Sequence, residues 1–261
     1  MIKKNKFLKV CKEVRFNTLN SIFKAGSGHS GPSLSIVELL VYIFFNIKKK
    51  KEKFVLSKGH GVPSLYATFS ALGLISKKEL NKLRMLNSRL QGHPDMTKLK
   101  FLDAGTGALG QGLSIAIGYA LSFKLKKENY NSYCILGDGE IQEGQIWEAA
   151  MYAGTRKISN LCAILDNNKF QNETLTKKTM DIYPIKEKFK SFNWSVLEID
   201  GHDYDEIKKA FKNFLNKNNK PTLIIANTIK GKGISFMENN EKWHAKKITI
   251  DDFKKIQDEL N

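Results

Sequence analysis

From Asp103 onward the sequence alternates short apolar runs with amphipathic stretches, and this alternation limits the fold more than any other feature. Runs at 133–136, 161–165, 195–199 and 223–227 read as strands, with helices expected between them at 112–125, 144–153 and 203–216. Runs that stay apolar rather than alternating belong to strands covered on both faces, as in parallel sheets with crossover helices. The expected fold class is therefore α/β, a doubly wound parallel sheet with helices on both faces. Asp203, with Glu206 three residues on, has the spacing of a capping box at the start of the last of these helices.

Upstream, Phe7, Leu8, Cys11, Val14, Leu19 and Ile22 recur at helical spacing and predict an amphipathic helix that stops at Gly26. Pro32 opens a second helix whose residues Leu34, Ile36, Val37, Leu39, Leu40, Ile43 and Phe44 are apolar nearly all round, which predicts burial. Its most apolar stretch, 37–47, contains Glu38 and is about half the roughly 20 residues of a membrane-spanning helix. Lys48 to Lys51 mark an exposed loop, and residues 99–102 read as a short strand. No linker divides the chain, so residues 1–261 are expected to form a single domain, with a helical segment of about 1–102 leading into the sheet-rich part.

The formal charge of +17 invites a polyanionic partner. Of the 43 basic residues, however, only Arg15, Arg84, Arg89 and Arg156 are arginine, the residue whose bidentate fork reads phosphates and bases. Lys, Asn and Ile supply 84 of 261 residues, a skew expected from AT-rich codons. Residues 103–175 hold six basic and eight acidic residues, so the positive charge lies elsewhere. Solvated surface lysine is the reading favoured, with no nucleic acid and no membrane as partners. Three cysteines without a CxxC pair point to a reducing compartment, and residues 1–12 lack a signal-peptide pattern, so a cytoplasmic protein is expected.

Two segments match the dinucleotide fingerprint, Gly26-Ser-Gly28-His-Ser-Gly31 and Gly105-Thr-Gly107-Ala-Leu-Gly110. The first follows a helix and fails. The second follows the expected strand at 99–102 but lacks the distal acidic residue, leaving it open as a cofactor-phosphate turn. A third cluster is more specific: Leu136-Gly-Asp138-Gly-Glu140 ends one strand, and Leu165-Asp166-Asn167-Asn168-Lys169 ends the next. Carboxyl ends of adjacent parallel strands lie side by side, so Asp138 and Asn168 are expected to meet. A carboxylate and an amide oxygen, with a backbone carbonyl, suit magnesium or calcium rather than zinc. Singly, each residue would merely cap a turn. Together at consecutive strand ends they favour a metal–diphosphate site, to which the helix starting near Gly144 adds its positive end.

The pattern Gly-Asp138-Gly followed by Asn167-Asn168 resembles the thiamine-diphosphate motif, and the chain as a whole resembles the transketolase family. The resemblance covers Ser27-Gly-His29-Ser-Gly, Leu56-Ser-Lys-Gly-His60-Gly, Gln91-Gly-His93-Pro-Asp, Thr106-Gly107-Ala-Leu109-Gly-Gln-Gly, Ile141-Gln-Glu143-Gly and the segment Thr228 to His244. Four of the five histidines fall on motif positions; His202, in a Gly-His-Asp turn, keeps a structural reading.

The resemblance implies a thiamine diphosphate cofactor with Mg2+, for which Ca2+ is a substitute, the metal being held by Asp138, Asn168 and the Phe170 carbonyl. His60, His244 and the Gly139 amide would contact the diphosphate, and Gly107 and Leu109 the aminopyrimidine. His29, His93 and His244 would act on substrate hydroxyl protons, and Glu143 would join a subunit-interface network. No segment supplies the glutamate that activates the aminopyrimidine, so the resemblance is to the N-terminal subunit of a split transketolase. Together with a C-terminal, pyrimidine-binding subunit it would form an α2β2 heterotetramer working on sugar phosphates, in carbohydrate metabolism of the pentose phosphate pathway. Members often have His-Pro-Gly and Thr-Gly-Pro where this chain has His29-Ser30-Gly31 and Thr106-Gly107-Ala108, which puts local backbone rigidity in question. Lys230 and Lys232 are read as loop charges. Rival readings are the α chain of a 2-oxo acid dehydrogenase and a non-catalytic basic binding protein.

Overall fold

The computed structural model describes residues 1–216 and 219–260; Lys217, Asn218 and Asn261 of the expected domain lie outside them. The chain opens with α1 (Lys4–Ala25), α2 (Ser30–Leu34) and α3 (Val37–Tyr42, continued by a π-turn at Ile43–Ile47), then β1 (Lys53–Leu56), α4 (Val62–Ala71) and α5 (Lys77–Leu80). There follow α6 (Gln111–Leu125), β2 (Ser132–Gly137), α7 (Gly144–Thr155) and β3 (Leu161–Asn167). A small hairpin, β4 (Phe170–Gln171) and β5 (Thr174–Leu175), leads through α8 (Thr176–Thr179) and α9 (Ile185–Ser191) to β6 (Ser195–Asp200). The chain then runs through α10 (Tyr204–Leu215), β7 (Thr222–Asn227) and α11 (Ile250–Leu260).

Five strands form one parallel sheet in the order β1-β2-β3-β7-β6. Successive side chains of a strand point to opposite faces, and here both faces are covered. Tyr133, Ile135, Cys162, Ile164 and Ile224 join a core with residues of α1, α3, α4 and α10. Cys134, Leu136, Ala163, Leu165 and Leu223 join a second core with α6, α7 and α9. Every residue of β2 and β3 is buried, which explains why their sequences read as continuous apolar runs. The doubly wound α/β expectation is thus met.

Two expectations about strands within residues 1–102 are corrected. Lys53–Leu56 is the edge strand of the sheet, paired with Ser132–Ile135, so the leading segment is part of the sheet as well as helical. Four residues beside a lysine run are too short to show a period. This edge is blunted by Asp103, which accepts the Phe54 amide at 3.0 Å and the Lys53 ammonium at 2.9 Å. Residues 99–102 form no strand: the Leu99 amide bonds the Asp95 carbonyl and the Leu102 amide the Leu99 carbonyl, so these leucines anchor turns. The Gly105–Gly110 segment consequently follows no strand and is not a Rossmann turn.

The helix expected after Pro32 is broken between α2 and α3, where the Ser35 hydroxyl donates to Asp166 at 2.7 Å. The stretch Ser30–Ile47 passes the length and apolarity of a membrane span, yet 78% of it is buried inside the fold, as befits a core helix. Lys48, expected in an exposed loop, lies half-buried 3.7 Å from Asp103. α1 ends at Gly26 in the left-handed region (φ +65°), as glycine permits. Asp203 caps α10 by accepting the amides of Asp205 and Glu206, but Glu206 reaches the Asp200 amide at 2.7 Å instead of closing the box. Asp203→Ala is expected to cost about 1 kcal/mol in urea denaturation. An unchanged midpoint would contradict the cap.

Candidate active site

The pairing of β2 with β3 sets Gly137 opposite Asp166, so the loops leaving both strands start side by side. Beyond these carboxyl ends lies a cleft of about 350 Å3. Its lining includes every site residue that the family resemblance implied: His29, His60, His93, Gly107, Leu109, Asp138, Gly139, Glu143, Asn168, Phe170 and His244. Positions far apart in sequence, from His29 to His244, therefore meet in one place.

Asp138 is buried and its two oxygens accept the Gly139 amide, at 2.8 Å, and the Lys169 amide. Burial first, and the nearby Asp166 second, push its carboxyl up to about 7. A carboxylate in that condition gains strongly from an adjacent cation. Asn168 donates to Asp166 at 2.9 Å while its Oδ1 accepts the Phe170 amide at 3.0 Å. Among the described residues no group of three or more His, Cys, Asp or Glu side chains is placed to hold a metal ion between them. The oxygens of Asp138 and Asn168, near the Phe170 backbone, match a hard divalent cation. Gly139 is required sterically, since a Cβ there would lie 2.6 Å from the Gln171 Cβ.

Beneath this pair is an ion pair that motif reading missed. Lys58 and Asp166 are 1% and 0% exposed and bonded to each other. Asp166 also accepts the Ser35 hydroxyl, the Thr228 hydroxyl and the Asn168 amide. Burial alone would raise its carboxyl, but Lys58 and these donors hold it below the usual range. Glu140 plays a similar part between loops, accepting the Gly110 amide at 2.9 Å, the Gly137 amide at 3.0 Å and the Ser57 hydroxyl. Lys58 and Asp166 stand inside the motifs, but a contact across 108 residues leaves no local signal.

Lys230 is also corrected. It is 1% exposed and lines the cleft, with Nζ donating to the Asn172 carbonyl at 2.7 Å and the Glu241 carbonyl at 3.1 Å, over the Phe170 ring. Burial, then Lys58, lower its ammonium to about 8. Lys232 keeps its reading as a loop charge, 3.3 Å from Glu238.

Four imidazoles crowd the cleft. The His29 ring lies 5.4, 6.4 and 5.2 Å from those of His60, His93 and His244. Burial is the first cause lowering all four, to about 4 for His29 and about 3 for His244, with neighbouring cations adding to it. At neutral pH they are neutral rings, each able to accept one hydroxyl proton and donate another. Glycine at 107 fits against His93, whose Cγ would lie 3.4 Å from a Cβ there. Glu143 is exposed at the rim. His202 lies outside the cleft lining, bonded to Glu38 at 2.9 Å and to the Ile229 amide at 2.9 Å, in keeping with its structural reading.

Depressed imidazoles have a stability consequence. Between about pH 6.5, where an unfolded histidine protonates, and about 4, where His29 does, the unfolded chain binds more protons, so stability falls as pH drops. Asp138 acts oppositely over this range, so the histidine share is read by difference. From about pH 7 to about pH 5, His29→Asn and His244→Asn are each expected to lose less urea stability than the wild type. Equal losses would contradict the neutral cluster.

Known proteins similar to this chain show its family. Residues 7–261 match the family model described as transketolase, thiamine diphosphate binding domain. The chain is 41% identical to the 6-deoxy-6-sulfo-D-fructose transketolase subunit SqwG of Clostridium sp. (strain MSTE9), covering 95% of this chain and 93% of that protein. It is 37% identical to one of the subunits of the apulose-4-phosphate transketolase of Phocaeicola vulgatus, covering 92% and 88%. Human transketolase is 39% identical over 90% of this chain, which spans only 39% of that protein's length. The crystal structure of transketolase from Campylobacter jejuni superposes with a TM-score of 0.91 at 31% identity, over 99% of this chain and 43% of that one. The chain belongs to the transketolase family, matching its thiamine diphosphate binding domain.

Proposed function

We propose that this chain is the diphosphate-binding subunit of a two-chain transketolase, moving a two-carbon ketol unit from a ketose or ketose phosphate to an aldose or aldose phosphate. The observation that carries this reading is the convergence of Asp138, Asn168, Phe170 and four neutral histidines on one cleft. Two relatives of similar extent are named as transketolase subunits, while the chain spans about two fifths of single-chain transketolases. The substrates in their names differ, a sulfo-sugar and a sugar phosphate, so the ketose class is proposed and the individual sugar is left open.

The residues fit the cofactor and its metal. The side-chain oxygens of Asp138 and Asn168 and the Phe170 carbonyl would hold Mg2+, or Ca2+ in its place, against a diphosphate. The Gly139 amide, His60, His244 and Lys230 would donate to the diphosphate oxygens, charge-assisted bonds in a half-enclosed site. Gly107 and Leu109 would lie along the aminopyrimidine. When bound, thiamine diphosphate supplies the electron sink for the two-carbon unit. The chain supplies proton handling: His29, His93 and His244 accept a hydroxyl proton as the carbon–carbon bond breaks and return it when the new bond forms. Their lowered basicity keeps them neutral and ready as acceptors. Glu143, exposed on the rim beside α7, would contact the C-terminal subunit that brings the activating glutamate, in an α2β2 assembly within the cytoplasm.

Purified alone, the chain is expected to show little ketol transfer from a ketose phosphate, with activity appearing when the C-terminal subunit is added. Strong activity from the chain alone would overturn the two-chain reading. Asp138→Asn is expected to weaken magnesium-dependent retention of thiamine diphosphate in the assembled enzyme by about tenfold or more, measured by calorimetry. Unchanged retention would remove Asp138 from the metal site.

A further inference from the structure

Lys230 reaches the cleft from a segment without regular structure between β7 and Glu241, so something other than a helix or strand must hold it. In the backbone the Gly231 amide bonds the Gly31 carbonyl at 3.1 Å, and the Asn239 amide the Lys230 carbonyl at 2.9 Å. Away from the cleft lining, two side chains flank Lys230 by taking the backbone on either side of it. His202 Nε2 accepts the Ile229 amide at 2.9 Å, and the Arg15 guanidinium donates Nε to the Lys232 carbonyl at 2.7 Å.

Glu38 joins those two side chains. Its Oε1 accepts from Arg15 and its Oε2 bonds His202 Nδ1 at 2.9 Å. Because Nε2 is taken by the Ile229 amide as donor, the ring's single proton sits on Nδ1 and is given to Glu38. Glu38 is the charge that interrupts the apolar helix α3, and it is 6% exposed. Burial pushes its carboxyl up, but Arg15 and His202 outweigh this and hold it at about 2. A buried carboxylate is retained only with such partners. Gly233 is fitted to the clamp: its φ is +90°, and a Cβ would lie 2.5 Å from the Arg15 Cδ.

We infer that Glu38 and His202 are positioning residues which, by holding the Ile229 amide, seat the neighbouring Lys230 ammonium in the cleft. Neither touches the cleft; both act through the loop. The seating itself stands on hydrogen bonds within the chain, and its consequence for cofactor affinity rests on the function proposed above.

Acetylation of the full chain with acetic anhydride, followed lysine by lysine by mass spectrometry, tests the seating without any ligand. Lys58, equally buried but held by the Pro32 carbonyl and Asp166 instead of by this loop, is the internal control. In the wild type both lysines are expected to be protected. His202→Leu is expected to raise labelling of Lys230 by about tenfold, as loss of one buried hydrogen bond implies, with Lys58 unchanged. His202→Gln, whose amide oxygen can accept from Ile229, is expected to restore most of the protection. Lys230 remaining protected in His202→Leu, or Lys58 rising with it, would overturn the inference, the latter by showing general loosening.

In the enzyme assembled with its C-terminal subunit, His202→Leu and Lys230→Ala are each expected to weaken magnesium–thiamine diphosphate binding, and the double variant to bind no worse than Lys230→Ala alone. Additive losses would overturn action through Lys230. A Lys230→Ala enzyme with unchanged affinity would instead overturn the assignment of the diphosphate end of the cleft, while the labelling result stands.

Discussion

The buried ion pair between Lys58 and Asp166 is the constraint on which the site depends. It lies where β3 ends, and Asp166 gathers Lys58 from the loop after β1, Ser35 from the break between α2 and α3, Thr228 from the end of β7 and Asn168 from the loop after its own strand. Removing either charge would strand the other without solvent, a large penalty that ties four segments to one arrangement. The same carboxylate turns Asn168 so that its oxygen side is left toward Phe170, and its negative charge bears on Asp138. The structural pair thus prepares the electrostatics of the proposed metal site.

The cleft carries both signs of charge. Its lining holds the buried cations Lys58 and Lys230, with histidines kept neutral beside them, as well as Asp138 and Asn168. A multiply charged anion bridged by a divalent cation would satisfy both sets, and neither ligand alone would. The net charge of the chain has little to do with this. Residues 103–175 carry more acid than base, and many of the excess lysines lie on exposed surface.

Much of the chain was legible because its signals are local. Apolar runs marked β2, β3, β6 and β7, a glycine ended α1, and Asp203 capped α10. Asp138 and Asn168 stood out at consecutive strand ends, and the other motif residues came from the family resemblance, with four of the five histidines falling on it. What escaped has a common cause. β1 was hidden because four residues carry no period, and the turn at 99–102 because buried leucines anchor a turn as readily as a strand. Lys230 reads as a surface charge in sequence because nothing nearby shows that its loop folds back against Gly31.

The sequence by itself determined the layered α/β architecture and the two strand ends that meet, since these follow from periodicity or from a motif within a few positions, while the family resemblance named His29, His60, His93 and His244 among the residues that line the cleft. Only the tertiary structure decided which charges are buried and what they hold: Lys58 against Asp166, Glu38 between Arg15 and His202, and Lys230 inside the cleft. The reason is physical. The state of a charged side chain depends on how much water the fold removes and on which partner it brings from dozens to hundreds of residues away, and neither quantity is written near the residue in the chain.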